Sequence, residues 1–337
     1  KSTTVALIAY VLTTAGIKNA VAGNIGNPLS DAVSTLTPNA WAVVEVSSFQ
    51  LEAAPTFHPK VSAILNVTPD HLERHGTFEN YLALKQRIFQ HQTGNDILVY
   101  NSGDPVVTGA VSSAKCSTKA FSLQSQTADV AVDGGQVVIR EKGSTIAVLE
   151  ISDIEIPGAH NVENVLAAVA CTASIGVDSR SIRDGVASFV GIEHRLETVG
   201  TFRGVTWVND SKSTNAQSGI IALNAMPPPI VLLAGGRAKA EDYSRLIPYF
   251  ADRVRSVIAF GEAGPMLEKT WQNAVDLHRA VGLYDAVRLA AEIASQGDTV
   301  LLSPMGSSFD QFEDFEQRGR RFKQWIDEYY TREAQNS

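Results

Sequence analysis

Short apolar runs recur along this chain, closed by polar residues and separated by stretches of helical length. AWAVVEV (40–46), VSAILNV (61–67) and DILVY (96–100) read as buried strands of a mostly parallel sheet. Over residues 129–151 the texture becomes alternating and turns at Gly134-Gly135, which predicts a small antiparallel patch. Gly158 then leads into a strong helix, HNVENVLAAVACTASIG, closed by Gly176. After Gly191 a second series begins: VTWVN (205–209), IVLLA (230–234), SVIAF (256–260) and TVLLS (299–303). Helical stretches such as 284–294 separate these runs, and a charged amphipathic helix is expected over 312–330. Such alternation constrains the fold to α/β. A chain of 337 residues can bury two cores, so the expectation is two doubly wound domains, residues 1–191 and 192–337.

In open parallel sheets ligands bind outside the carboxyl ends of the strands, and polar residues collect there in this sequence. Glu45, Ser47 and Ser48 end the first run; Asn66, Asp70 and His71 follow the second. Asp210, Lys212 and Thr214 follow VTWVN; Gly235, Gly236 and Lys239 follow IVLLA; Ser307, Ser308 and Asp310 follow TVLLS. One such cluster is ordinary loop chemistry, whereas five at the same end of successive strands favour a site. The net charge of −8 argues against a general nucleic-acid binder but allows phosphate binding at local sites. Cys116 and Cys171 have no second Cys or His at metal-ligand spacing, and read as reduced thiols of a cytoplasmic protein. No apolar run approaches the ~20 residues of a membrane span.

The chain opens KSTTVALIAYVLTTAGI, a Lys-Ser pair running into an apolar helix. That is the second half of a phosphate-binding loop, G-x-x-x-x-G-K-[ST], without its glycines. An ordinary helix start rich in Ser and Thr fits the same residues.

Lys85 is the most informative single residue. In FENYLALKQRIFQH, Tyr81 and Phe89 lie four positions to either side of it, so Lys85 points towards the buried face. A desolvated lysine is neutral part of the time and can act as a base, form a Schiff base, or take up carbon dioxide as a carbamate. The competing reading is a stem covering apolar surface with its head in water. Glu45, His71 and a phosphate-loop Ser are ligand types expected around divalent ions on a nucleotide triphosphate.

Taken in order, VVEVSSFQLE, LNVTPDHLERHG, YLALKQRIF, GAHNVENVLAAVA, EHRLE, VNDSKSTN, LLAGGRAK and LLSPMGSSFDQFEDFEQRG resemble the motifs of Mur ligases, specifically the D-glutamate-adding branch. The resemblance runs from Lys1 to about Trp325. It implies a P-loop ATPase-like central domain, a Rossmann-like C-terminal domain, and the absence of a preceding domain that anchors the uridine diphosphate. On that footing Lys1-Ser2-Thr3 looks like the end of the family's G-T-N-G-K-S-T loop, and this fragment alone is expected to make no ligation product.

The resemblance further implies two Mg2+ sites, Ser2 with Glu45 and His71 with a carbamylated Lys85, and a catalytic set of Lys1, Glu45, His71 and Lys85. Thr3, Asn161, Asn164, Arg195, Asp210 and Lys212, with Lys1 and Ser2, match residues around ATP. Asn24 and Ser47 match contacts to the acceptor, UDP-N-acetylmuramoyl-L-alanine; Thr214, Lys239, Ser308, Phe309 and Phe315 match those to D-glutamate. A monomer is expected. Two departures stand out: Gly-Gly-Arg-Ala-Lys-Ala replaces the commoner Gly-Gly-x-Asp-Lys, and Met305-Gly306 replaces an Ala-Cys-like pair. The alternatives are a related ligase adding another amino acid, folylpolyglutamate synthesis included, or a non-catalytic nucleotide-binding module.

Overall fold

The opening Lys-Ser-Thr-Thr does enter a helix in the computed structural model, which describes residues 1–141 and 143–336. This helix, α1 (Ser2–Thr14), buries Val5, Leu7, Val11 and Leu12 and gives way at Gly16, whose φ of 72° ends it in the left-handed region. The backbone divides into two units, the first ending at Phe189 and the second beginning at Val190.

In the first unit β1 (Asn19–Gly23), α2 (Leu29–Thr35), β2 (Trp41–Glu45) and α3 (Ser48–Ala53) follow α1. Next come β3 (Val61–Ile64), the single-turn α4 (Leu72–His75), α5 (Phe78–Gln86), β4 (Ile97–Asn101) and α6 (Pro105–Val111). The unit continues with β5 (Ser117–Ser122), β6 (Val130–Asp133), β7 (Gln136–Glu141), β8 (Ser144–Glu150), α7 (Ala159–Ser174) and α8 (Ser179–Ala187). The six-stranded sheet has the order β3-β4-β5-β6-β7-β8, parallel from β3 to β6 and antiparallel beyond. The alternating segment forms the expected antiparallel patch, β6-β7-β8, and β6 joins it to the main sheet by pairing with β5. Helix α7, buried from Val165 to Ala170, packs across β3–β6 and against α1.

Strand β2 departs from the sequence expectation. It pairs in parallel with β1 in a two-stranded sheet of its own, while β3 pairs with β4. A cavity of about 360 Å³ separates them, lined by Val43 and Val44 of β2, Val61 and Ala63 of β3, and Val5 and Ile8 of α1. An apolar run announces a buried strand, but not its partner.

The second unit contains β9 (Glu197–Phe202), β10 (Val205–Asn209), α9 (Ala216–Ala225), β11 (Ile230–Gly235), β12 (Val254–Phe260) and α10 (Gly264–Trp271). It closes with β13 (Asp276–Arg279), α11 (Leu283–Ile293), β14 (Thr299–Met305) and α12 (Phe315–Asn336). Strand order is β13-β12-β11-β14-β10-β9, parallel except for β9. Alternate residues of the buried β11 serve opposite faces. Leu232 and Ala234 join Leu223, Phe250 and Trp271, whereas Val231 and Leu233 join Leu283, Phe322 and Ile326. Helices therefore cover both faces, as a doubly wound sheet requires. Because β10, β11 and β14 run parallel, residues 210, 236 and 306 all emerge at one sheet edge.

Candidate active site

Four of the singled-out side chains meet where α1 begins. Glu45, the last residue of β2, is 4% exposed. One of its oxygens accepts the Ser2 hydroxyl at 2.7 Å; the other accepts the Asn24 amide at 2.9 Å and faces the Lys1 ammonium at 3.6 Å. Backbone register creates this meeting. Gly23 lies opposite Glu45 with φ at 101°, and a Cβ there would collide with the Glu45 carbonyl oxygen. That oxygen instead accepts the Asn24 backbone N–H at 2.8 Å.

Burial alone pushes the Glu45 carboxyl up, but hydrogen bonds from Ser2 and Asn24 and the charge on Lys1 outweigh it and hold the group below its ordinary value. Glu45 is therefore an anion at neutral pH. Beside the Ser2 hydroxyl it offers the hard oxygen donors that suit Mg2+.

Thr3 is buried in the first turn of α1, and Thr4 donates to the Asn164 side chain at 2.9 Å. Asn164 donates to Asn161 at 3.0 Å, and Asn161 to the Pro157 carbonyl at 2.7 Å, so both asparagines are tied to α1. Ser47 caps α3. Its hydroxyl accepts the Gln50 backbone N–H, and the Gln50 side chain accepts the Ser47 backbone N–H at 2.9 Å.

Lys85, half-buried on the last turn of α5, lies with its ammonium 4.8 Å from the centre of the Tyr81 ring. Burial, and then the nearby charge of Lys1, bring its pKa down to about 8, leaving a fraction of neutral amine near pH 7. His71 is the N-cap of α4 at φ 53°, with its ring 3.5 Å from Asp70 and 3.6 Å from Glu73. Lys85 lies close enough to the Glu45 cluster to sense the charge of Lys1, while its ring contact with Tyr81 and the neighbours of His71 are their own. Among the described residues no three His, Cys, Asp or Glu side chains form a metal cage.

In the second unit Asp210 is 5% exposed, and its oxygens accept the Leu196 backbone N–H at 3.3 Å and the Ser303 hydroxyl at 3.1 Å. Burial pushes its carboxyl up to about 7, against the opposing pull of Arg195 and Ser303. Lys212 lies 5.2 Å from the centre of the Phe315 ring. Half-buried Thr214 precedes Asn215, which caps α9. Lys239 is exposed, and its backbone N–H donates to the Tyr243 hydroxyl, which donates to the Met305 carbonyl at 3.1 Å. That relay ties the loop after β11 to the end of β14. Ser308 is buried and Phe309 exposed in the loop beyond. The structure thus places Lys212 over Phe315 and ties Asp210 to Ser303 within reach of the Arg195 charge, while Thr214, Lys239 and Ser308 occupy separate loops at one sheet edge.

Sequence reasoning missed Arg318. Fully buried, it donates to the Ser211 hydroxyl at 2.9 Å, the Ser211 carbonyl at 2.7 Å and the Gly306 carbonyl at 3.0 Å, clamping the loops after β10 and β14 together. A signal existed: Arg318 shares a helical stripe with Phe322 and Ile326, a charged residue on an apolar face. Burial lowers its pKa to about 10, so it stays cationic.

Residues 1–172 match the Mur ligase middle domain, and residues 194–306 match the domain described as Mur ligase, glutamate ligase domain. A UDP-N-acetylmuramoylalanine–D-glutamate ligase of Acidobacterium capsulatum is 44% identical over 329 residues, covering 97% of this chain and 71% of that protein. A protein of the same name from Gloeobacter violaceus is 43% identical over 331 residues, covering 97% and 73%. Among solved structures, MurF ligase from Thermotoga maritima in complex with ADP shares the fold with a TM-score of 0.69 at 18% identity, covering 97% of this chain and 78% of that one. A UDP-N-acetylmuramoyl-L-alanyl-D-glutamate–2,6-diaminopimelate ligase gives 0.67 at 20% identity, covering 98% and 76%. With the Lys1–Ser2–Glu45 cluster inside one matched domain and the loops at 210–214 and 235–239 inside the other, the chain belongs to the Mur ligase family.

Proposed function

We propose that this chain carries the ATP-handling and amino-acid-handling parts of a cytoplasmic, monomeric ligase that joins D-glutamate to UDP-N-acetylmuramoylalanine in peptidoglycan synthesis. One observation carries the reading: an anionic Glu45 held between Ser2, Asn24 and Lys1, in a chain 44% identical to a relative named for that reaction.

In the reaction, the acceptor carboxylate takes the terminal phosphoryl group of ATP, giving an acyl phosphate and ADP. The amine of D-glutamate attacks the acyl carbon, and the tetrahedral intermediate expels phosphate to leave the amide. Lys1 neutralises charge on the phosphoryl group in flight. Ser2 and Glu45 would hold one Mg2+ and His71 and Lys85 a second, and ions bound there would supply charge screening and Lewis acidity at the acceptor carboxylate. Lys85 serves as a carbamate. Its neutral amine adds to carbon dioxide, loses a proton and becomes a carboxylate-like ligand, for which a pKa near 8 suits it better than an ordinary lysine.

Thr3, Asn161 and Asn164 are assigned to the nucleotide and Asn24 and Ser47 to the muramoyl substrate. Within the second unit, Arg195, Asp210 and Lys212 are nucleotide-side residues, Asp210 acting through the loop it holds. Lys239, Thr214 and Ser308 supply the donors a dicarboxylate needs, with Phe309 and Phe315 beside them. The test uses the complete gene product with labelled D-glutamate, acceptor and Mg-ATP. Amide and phosphate should form in equal amounts, and only with all three substrates present; equal use of L-glutamate, or ATP hydrolysis without amide, rejects the reading. Lys85→Ala should abolish activity, acetate should restore part of it, and Lys85→Arg should fail because guanidinium forms no carbamate.

A further inference from the structure

His71 sits at the head of a single-turn helix, and Lys85 lies on the helix that follows. A one-turn helix has almost no stability of its own, so something must fix the two side chains in relation to each other. A continuous file of rings connects them. The Lys85 ammonium lies 4.8 Å from the centre of the Tyr81 ring, and that ring lies 5.5 Å from the ring of His75. His75 lies 5.3 Å from Phe49, and Phe49 lies 5.1 Å from His71. Each step falls in the range of favourable ring–ring or cation–ring contact.

His75 is the centre of the file. It is 8% exposed, and its Nε2 lies 3.1 Å from the hydroxyl of the equally buried Ser48 on α3. Its backbone repeats the pattern. The His75 N–H donates to the His71 carbonyl at 3.0 Å, while its own carbonyl accepts the Thr77 N–H at 3.0 Å and the Asn80 side-chain amide at 3.1 Å. One residue therefore joins α3, α4 and α5. Packing alone does not call for histidine here, since an apolar side chain would fill the space without burying polar nitrogen atoms.

We propose that His75 is a positioning residue that sets the spacing and orientation of His71 relative to Lys85, which rests on the roles proposed above for those two residues. The test compares the complete gene product with its His75→Leu, His75→Phe and Ser48→Ala variants. The first readout is the upfield ring-current shift of the Lys85 ε-methylene protons, which come from lying over Tyr81 and need no metal. The second is the Mg2+ concentration for half-maximal activity. His75→Leu should lose most of the ring-current shift and raise the Mg2+ requirement by about tenfold, the low end for losing an outer-shell partner, with the KM for ATP unchanged. His75→Phe, which keeps a ring in the file but loses the bond to Ser48, should fall between the parent and His75→Leu on both readouts. Should His75→Leu fail to fold, Ser48→Ala keeps the ring but frees it, and should shift both readouts in the same direction by a smaller factor. A ring-current shift that ignores His75→Leu, or a His75→Phe variant as impaired as His75→Leu, overturns the proposal. If the parent protein forms no amide while the shift still follows His75, the ligase reading fails and the positioning role stands.

Discussion

Glu45 and Asp210 make an instructive pair. Each stands at the carboxyl end of a parallel strand, and each is almost wholly buried, at 4% and 5% exposure. Yet Glu45 is held below its ordinary pKa, whereas Asp210 is pushed up to about 7. Surface exposure is the same, but Asp210 lies deeper in the protein, and the donors differ. Glu45 receives a hydroxyl, an amide and an ammonium, all from the edge where α1 begins. Asp210 receives one longer backbone bond and one hydroxyl, while Arg318 directs its bonds to Ser211 and Gly306 instead. An anion with a hydroxyl beside it can share a cation with phosphate oxygens. A carboxyl that titrates near neutrality and turns inward is suited to holding a loop.

The largest predicted effect separates the two by charge removal in the complete gene product. Glu45→Gln should lower kcat for amide formation by roughly a hundredfold or more, since metal-assisted charge stabilisation is worth several kcal/mol. Asp210→Asn should cost about tenfold or less, and an equal loss in both variants would break the comparison. The next effect is on stability. The Asp210 carboxyl keeps its proton up to about pH 7 when folded but loses it near 3.8 when unfolded. Between those values the folded state binds more protons, so stability conferred by Asp210 is full below pH 4 and is lost as pH rises through 7. Unfolding followed through the buried Trp207 and Trp271 should show this decline, on the order of a few kcal/mol, and Asp210→Asn should flatten it. Lys239→Ala should raise the KM for D-glutamate by roughly ten- to a hundredfold, one charge-assisted bond, with the KM for ATP little changed. The smallest effect is at Ser47, where loss of the α3 cap in Ser47→Ala should cost about 1 kcal/mol of stability. An additional rise in the KM for the acceptor would mark Ser47 as a substrate contact as well.

Much of this was legible in the sequence, for identifiable reasons. The strands of the second unit were readable because β10, β11, β12 and β14 are continuous apolar runs buried on both faces. Strands β5 and β13 were not, because STKAFS and DLHR are polar and half-exposed and gain their strand character from neighbours. Lys85 declared itself through its spacing from Tyr81 and Phe89. Arg318 showed only its stripe with Phe322 and Ile326 and His75 showed nothing, because what defines their roles is contact with residues 107 and 27 positions away. Which sheet receives β2 is likewise a matter of long-range pairing, on which an apolar run is silent.

The contrast between the two carboxylates can be read in one sample. Carboxyl 13C shifts of Glu45 and Asp210, assigned with the Glu45→Gln and Asp210→Asn variants, would be followed across a pH titration and again with added Mg2+. Glu45 should still be ionised at pH 4.5, the ordinary glutamate value, and should respond to Mg2+; Asp210 should titrate near pH 7 and ignore the ion. Two carboxyls that move to the same side of their ordinary values, or an Mg2+ response at Asp210 and not at Glu45, would contradict the assignment of the cation site to the head of α1.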